Sequence, residues 1–309
     1  MCVTERVGIH VNIRILAASE WPTLAAFLHR NNIPPALCLH SETGHSVETY
    51  RADLAALPVN EACFVAAEEN AACIAVMGAE FSRESKRAWL RGPVLDSNLT
   101  EVGASDVRDA LWSQLDVVLP TDIERLDGFL DVGNAACLAW YRSRGFLEQP
   151  RYFVYVAERG ETGPTMPTNV RAASALQHAS LLELAHVVFP SGYLTDAELT
   201  AANTEQHALF VIADGDRVNG YVYANIINAG TDEAELYVDY LVVRPDARGR
   251  TLGRALLQAA LSWGFGERDV GKAALTVAAD NANAQSLYAS VGFVLASTGV
   301  PMRLDRNGS

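Results

Sequence analysis

Leu241-Val-Val-Arg-Pro-Asp-Ala-Arg-Gly-Arg-Thr-Leu-Gly-Arg254 runs from an apolar strand, through a proline-marked exit and a basic glycine-containing loop, into the first turn of a helix. Such a loop turns successive backbone N–H groups into one concavity, and the helix N-terminus adds partial positive charge. A pyrophosphate suits that environment. Gly249 and Gly253 leave room for close approach, while Arg248, Arg250 and Arg254 supply charge. The same residues also fit an ordinary strand-to-helix connection with surface arginines, because short glycine motifs recur by chance.

Outward from this stretch, Glu235–Val243 reads as the strand that feeds the loop and Leu252–Phe265 as the helix that leaves it, with Leu252, Leu256 and Leu257 on one face. Upstream lie a short strand at Val170–Ala173, an amphipathic helix at Ala175–Val188, a short helix behind the capping box Thr195–Glu198, and strands at Ala208–Ala213 and Val218–Ile227. Downstream, Lys272–Ala278 reads as a strand and Asn281–Val291 as a helix ended by Gly292.

The closing elements recur. One ungapped offset, 147 residues from Asn134 to Asn281, also lays Tyr141, Gly145 and Phe146 under Tyr288, Gly292 and Phe293, and Arg125–Asp131 reads as the strand before the first copy. This is a repeat at domain scale. Between the copies, Arg159–Asn169 (RGETGPTMPTN) has the glycine and proline content of an exposed linker. Two domains are expected, 1–160 and 167–309, each an α/β or α+β layer structure, because helices and strands are interleaved in both halves.

The two spaced signatures resemble those of the GCN5-related N-acetyltransferase (GNAT) superfamily. Residues 248–253, RGRTLG, are similar to its acyl-CoA pyrophosphate loop, in which Gln or Arg is followed by two residues, Gly, one residue, then Gly or Ala. Thr251 stands where the first glycine is expected. Leu275–Phe293 is similar to the second signature, through Asn281, Ala284, Tyr288 and Gly292-Phe293. The resemblance implies a mixed, mostly antiparallel sheet flanked by helices, with a V-shaped splay between two parallel strands that admits acetyl-CoA. It assigns the arms to Glu235–Val243 and Lys272–Ala278. Backbone groups of Leu241, Val242 and Val243 then bind the pantetheine as an added strand would, residues Arg248, Gly249, Arg250, Thr251, Leu252, Gly253 and Arg254 hold the pyrophosphate, and Asn281 touches the cofactor arm. Asn281 equally suits a helix N-cap, as does Asp280.

The same resemblance gives Tyr288 the role of general acid, since a phenol is protonated at neutral pH and can donate to a leaving thiolate; an aromatic packed under the sheet is the other role open to it. For the base, strand alternation gathers Glu235, Tyr237, Asp239 and Leu241 on one face, with Asp239 the first candidate and Glu235 the second, although both also suit solvent-exposed positions. The second half has no cysteine. The expected reaction is direct transfer of an acetyl group from acetyl-CoA to the amine of a small molecule, an N-acetyltransferase reaction.

The first half lacks a matching loop. After the strand-like Arg91–Asp96 comes SNLTEVGASDVRDALW, with one glycine, Gly103, and acidic Glu101, Asp106 and Asp109 where phosphate needs positive charge. This copy reads as degenerate. Mycothiol synthases are tandem members of similar length, an alternative for which no acceptor-reading residues are identifiable. A non-catalytic acyl-CoA sensor is a further alternative; it needs an output surface such as a basic DNA-reading helix, and none is found.

Composition narrows the setting. The 309 residues are 50% hydrophobic, enough for two cored domains, and carry 24 Lys+Arg against 37 Asp+Glu, a formal net charge of −13. Nucleic acid and anionic membranes are therefore disfavoured partners, and a cationic or neutral small acceptor is favoured. The N-terminus lacks a basic start and apolar run, and no 18-residue apolar stretch occurs, so a cytoplasmic protein is expected. Five scattered cysteines without a CxxC pair and seven scattered histidines give no disulfide framework and no metal site.

Overall fold

The structure, a computed structural model, describes residues 11–33, 45–161, 163–190, 194–201 and 203–306. The strands in chain order are β1 (Asn12–Ile15), β2 (Ala62–Glu69), β3 (Ala72–Ser82), β4 (Arg87–Leu95), β5 (Arg125–Asp131), β6 (Leu147–Glu148), β7 (Tyr152–Glu158), β8 (Arg171–Ala172), β9 (His207–Asp214), β10 (Arg217–Ile227), β11 (Glu235–Val243), β12 (Lys272–Ala278) and β13 (Val294–Asp305). The helices are α1 (Ala25–Asn31), α2 (Val47–Ala56), α3 (Glu101–Val118), α4 (Ala135–Ser143), α5 (His178–Val188), α6 (Asp196–Thr200), α7 (Leu252–Leu261) and α8 (Ala282–Ala289). The helix expected at Leu252–Phe265 is α-helical only to Leu261 and then widens into a π-helical turn over Ser262–Glu267. Gly264 in that turn lies so close to Leu236 that a Cβ would come within 2.9 Å of its side chain, so the wider turn brings helix backbone directly against the strand.

The chain divides into two compact units, Met1–Tyr152 with Ser297–Ser309, and Phe153–Ala296. The glycine- and proline-rich 159–169 segment thus falls inside the second unit, where the Arg159 N–H donates to the Gly271 carbonyl at 2.9 Å.

In the first unit the strand order is β1-β2-β3-β4-β5-β13, with β6 also on β13. Neighbours are antiparallel except β4 and β5, which run parallel from Arg87↔Arg125 to Trp89↔Asp127 and then part. Leu111 and Leu115 of α3 and Leu138 and Tyr141 of α4 share one buried core with Leu126 and Leu130 of β5 and Val300 and Met302 of β13. In the second unit the order is β7-β12-β11-β10-β9-β8. Here β11 and β12 are the parallel pair, from Leu236↔Ala273 to Val238↔Leu275. One face of this sheet packs Leu236, Val238 and Leu275 against Leu256, Leu257 and Ala260 of α7; the other packs Leu209, Val211, Tyr223 and Tyr240 against Leu181 and Leu184 of α5.

The repeat holds in three dimensions. β5 and β12 occupy corresponding positions, Arg125–Asp131 and Lys272–Ala278, and both Gly145 and Gly292 end their helices at positive φ, +85° and +97°. The last strand of each copy lies in the other unit: all of β7 after Tyr152 belongs to the second and Ser297–Asp305 of β13 to the first.

Cys63, Cys73 and Cys137 form no disulfide with one another, and burial pushes the Cys63 and Cys73 thiols up to about 11; Cys2 and Cys38 lie outside the described residues. Among the described residues no group of three or more His, Cys, Asp or Glu could hold a metal, and no helix is long and apolar enough to cross a membrane. Because β13 fills the first unit's core with the fully buried Val300 and Met302, Met302→Ala is expected to destabilise that unit by about 2–5 kcal/mol, read as an earlier denaturant midpoint by circular dichroism.

Candidate active site

Beyond Val238 and Leu275 no rung joins β11 to β12, which leaves the β12-facing edge of Leu241–Val243 without a neighbouring strand. The other edge of β11 shows where the arm bends. Tyr223 of β10 faces Tyr240, but the next residue, Ala224, faces Val238, so Asp239 is an extra residue, a β-bulge. The bulge corrects the expected shared face of Glu235, Tyr237, Asp239 and Leu241. Leu241 and Val243 instead pack with Leu236 and Val238 on the α7 side, and Tyr240 and Val242 turn to the α5 side. One inserted residue resets the two-residue period, which alternation alone cannot register.

Glu235 lies at the closed end of the V, its carboxylate 3.2 Å from Lys272 Nζ. Tyr237 donates to Thr276 Oγ1 at 2.9 Å, bridging the arms where they diverge. Burial pushes the Tyr237 hydroxyl up to about 12, against the Thr276 hydrogen bond and with added contributions from Asp239 and Glu235; Tyr223 is pushed up to about 12 by burial and then by Asp239. Lys272 and Thr276 are site residues that sequence reading passed over. Their signal was their alternation with the buried Ala273, Leu275 and Val277 along the second arm.

After β11 the chain makes a short 3-10 turn at Pro245–Ala247 and enters the loop. Arg244 is engaged by the Val218 carbonyl (3.0 Å) and Ser180 Oγ (3.3 Å). Arg248 reaches the Val243 carbonyl at 3.4 Å and Arg254 the Ser290 carbonyl at 3.2 Å; among the described residues, neither these two nor Arg250 has a carboxylate partner. Gly249 sits at φ +76° and Thr251 at φ +59°. The left-handed conformation at 251 is why glycine is the expected residue there, and a threonine bears a cost of roughly 1–2 kcal/mol. The N–H groups of Gly249, Arg250 and Thr251 meet no backbone acceptor among the described residues, and the first N–H groups of α7 lie beyond its ladder. At Gly253 a Cβ would come within 3.1 Å of Leu287 on α8. Open N–H donors and cations thus gather at one helix entrance, a type of place that favours anions.

On α8, Asn281 Oδ1 accepts from the Ala284 N–H at 3.2 Å, so Asn281, not Asp280, is the N-cap; Asn134 caps α4 in the same way through the Cys137 N–H, also at 3.2 Å. Tyr288 is 8% exposed, close to Tyr155 and Phe293, and burial pushes its hydroxyl up to about 12. That hydroxyl has no hydrogen-bond partner among the described residues.

Its counterpart in the first unit differs. Tyr141 is fully buried, its ring lies against Gly128 on β5 (a Cβ there would meet the ring at 2.8 Å), and its hydroxyl donates to the Gly92 carbonyl on β4 at 2.6 Å. The tyrosine therefore spans the gap between the parting arms. The helix that follows β4 is capped by its own Thr100, whose Oγ1 accepts from the Gly103 N–H at 3.3 Å.

Known proteins share this fold. Residues 178–293 match the acetyltransferase (GNAT) family. Among solved structures, the chain is similar to a GCN5-related N-acetyltransferase from Sphaerobacter thermophilus (16% identity, 96% of each chain, TM-score 0.71) and to a tandem GNAT protein from the clavulanic acid biosynthesis pathway, solved without AcCoA (15% identity, 97% of this chain and 100% of that one, TM-score 0.68). It is also similar to an acetyltransferase of the GNAT family from Colwellia psychrerythraea (12% identity, 95% and 99%, TM-score 0.58). At these identities the likeness establishes the fold, a GNAT-like mixed sheet flanked by helices. No curated protein matches the chain significantly.

Three stability predictions separate the tyrosines and the loop. Tyr141→Phe, which leaves the buried Gly92 carbonyl without its donor, is expected to cost about 1–3 kcal/mol, whereas Tyr288→Phe should change stability by under about 0.5 kcal/mol. Thr251→Gly should raise stability by up to about 1 kcal/mol as left-handed strain is relieved. Denaturant titration followed by circular dichroism checks all three.

Proposed function

We propose that the second unit is an acyl-CoA-dependent N-acyltransferase that moves an acetyl group directly from acetyl-CoA to the amine of a small molecule. The observation that carries this reading is the contrast between the two V-shaped openings. That of the second unit leads to a loop of open N–H groups and three arginines without carboxylate partners, and its tyrosine hydroxyl is uncommitted; that of the first is spanned by Tyr141. In this reading the first copy is the degenerate one.

Acetyl-CoA supplies an activated acyl carbon and a thiol leaving group; the chain does the rest. N–H groups of Gly249 to Gly253, with Arg248, Arg250 and Arg254, hold the diphosphate, and the open edge of Leu241–Val243 takes the pantetheine amides as a neighbouring strand would. Asn281 keeps its cap and faces the same arm. As the amine nitrogen bonds to the acyl carbon and the carbon–sulfur bond breaks, Tyr288 gives its proton to the sulfur and a carboxylate takes one from the nitrogen. Asp239 suits the base better than Glu235, because it sits on the bulge where the arms part while Glu235 is paired with Lys272 at the closed end.

Tyr288→Phe is expected to lower kcat by a factor on the order of 10² with acetyl-CoA affinity unchanged. Burial pushes the Tyr288 phenol up to about 12 and keeps the donor protonated as pH rises, so wild-type kcat should show no alkaline fall traceable to Tyr288 in the neutral and mildly alkaline range. Gly253→Asp should abolish acetyl-CoA binding in calorimetry, since it sets a carboxylate against the diphosphate. Retained binding by that variant, or full activity of Tyr288→Phe, overturns the reading.

A further inference from the structure

The first unit carries a charge arrangement that its fold does not account for. Asp127 on β5 is buried, at 8% exposure, and meets three guanidinium groups: Arg87 Nε at 2.6 Å and Arg125 Nε at 2.7 Å from Oδ2, and Arg303 Nε at 3.2 Å from Oδ1. Strand register brings them together. Trp89, Asp127 and Arg303 share one rung and Arg87, Arg125 and Asp305 the next, on the face away from the core residues Leu126, Leu130, Val300 and Met302.

The charges around this group do not cancel. One carboxylate faces three cations that cannot deprotonate. Of the nearby acids, Glu124 is paired with Lys86 (2.6 Å), Glu80 and Asp53 are paired with Arg91 (2.5 and 2.7 Å), and Asp305 is exposed and within 4.0 Å of no cation among the described residues. Arg87 and Arg303 donate to Asp127 through the inner Nε, whereas Arg125 donates through an outer nitrogen at 3.1 Å, its Nε lying 2.7 Å from Oδ2 without making a hydrogen bond. The outer nitrogens of Arg87 and Arg303 have no acceptor among the described residues, and the three side chains remain 32%, 31% and 34% exposed. Arg87 is also held in place over the Trp89 ring at 4.8 Å. Burial, joined by Arg125 and Arg303, lowers the Arg87 pKa in spite of its contact with Asp127.

A carboxylate that served only to tie β4, β5 and β13 together would be satisfied by one guanidinium fork. Three leave a surplus of positive charge in a chain of net −13. The matching rungs of the second unit hold Glu235 and Lys272, one acid against one base, with Tyr237 and Ala274.

We propose that Arg87, Arg125 and Arg303, organised by Asp127, form a binding site for a small oxyanion, the carboxylate or phosphate group of a small molecule, on the first unit. Asp127 fixes the inner nitrogens of Arg87 and Arg303, which leaves their outer N–H groups for an anion with at least two acceptor oxygens, and the second outer nitrogen of Arg125 adds to them. A nucleic acid does not suit it, because the acidic chain repels a long polyanion while three arginines suffice for one group.

The test is calorimetric titration of the full chain at low ionic strength with inorganic phosphate and, separately, with succinate. Saturable binding of at least one anion is expected, weakened by at least about tenfold in Arg87→Gln and in Arg303→Gln and unchanged in Arg83→Gln, which alters an exposed arginine of the same unit paired with Asp122. Binding of phosphate alone assigns a phosphate-bearing ligand, and of succinate alone a carboxylate-bearing one. Absence of saturable binding for both overturns the proposal, as does binding that Arg87→Gln and Arg303→Gln leave at wild-type strength, which would place it at the separate 248–254 loop. Arg303→Lys keeps the charge but not the fork, so it should weaken binding at an unchanged melting temperature even if the glutamine variants unfold; wild-type affinity in that variant also overturns the proposal.

Discussion

Two parallel strands that pair for only three rungs and then part are the constraint on which the second unit is built. A parallel ladder is satisfied only while its strands stay side by side, and the bulge at Asp239 bends β11 away just as its pairing with β12 ends. The parting leaves a strand edge with backbone groups to offer, a bridge from Tyr237 to Thr276 that closes the base of the opening, and a helix entrance at the end of one arm. A flat, fully paired sheet would present none of these. The catalytic reading therefore depends on a local failure of pairing that the rest of the unit stabilises, with the fully buried Leu236, Leu256, Leu257 and Ala260 holding the arm to α7.

The two copies show how one scaffold can lead to opposite outcomes. Both have the parallel pair, the asparagine cap, the glycine that ends the helix and the tyrosine one turn before it. In the first, the tyrosine hydroxyl is committed to a backbone carbonyl across the gap, and the helix after the first arm satisfies its own N-terminus through Thr100. In the second, the tyrosine hydroxyl has no hydrogen-bond partner among the described residues, and the N–H groups of Gly249 to Thr251 meet no backbone acceptor there. A buried polar group is either satisfied by the protein or left for something that arrives, and the proposed reading rests on that difference between the two openings.

Exchange of the last strands ties each unit's core to the other half of the sequence. Val300 and Met302, the closing strand of the second copy, are among the most buried residues of the first unit. Neither repeat is therefore a complete unit when cut at the glycine- and proline-rich 159–169 segment, which reads as a boundary by composition alone.

Much of this protein was legible in its residues. The bounds of β5, β11 and β12, the 147-residue repeat and the Arg248–Arg254 loop rest on periodicity and glycine placement, both local properties, whereas the cap of α8 stayed open between Asp280 and Asn281 until the structure placed it on Asn281. Which faces those residues present was not legible, because a single extra residue at Asp239 reverses every later side chain and leaves no mark in the hydrophobic pattern. Nor could the sequence show that Tyr141 is committed and Tyr288 is not, since that rests on Gly92, 49 positions away from Tyr141 in the chain. The sequence by itself determined the elements, the repeat and the charge of the loop. Only the tertiary structure decided which strands complete which unit, which tyrosine hydroxyl is available and where three arginines converge on Asp127, because those outcomes depend on register and contact between residues far apart along the chain.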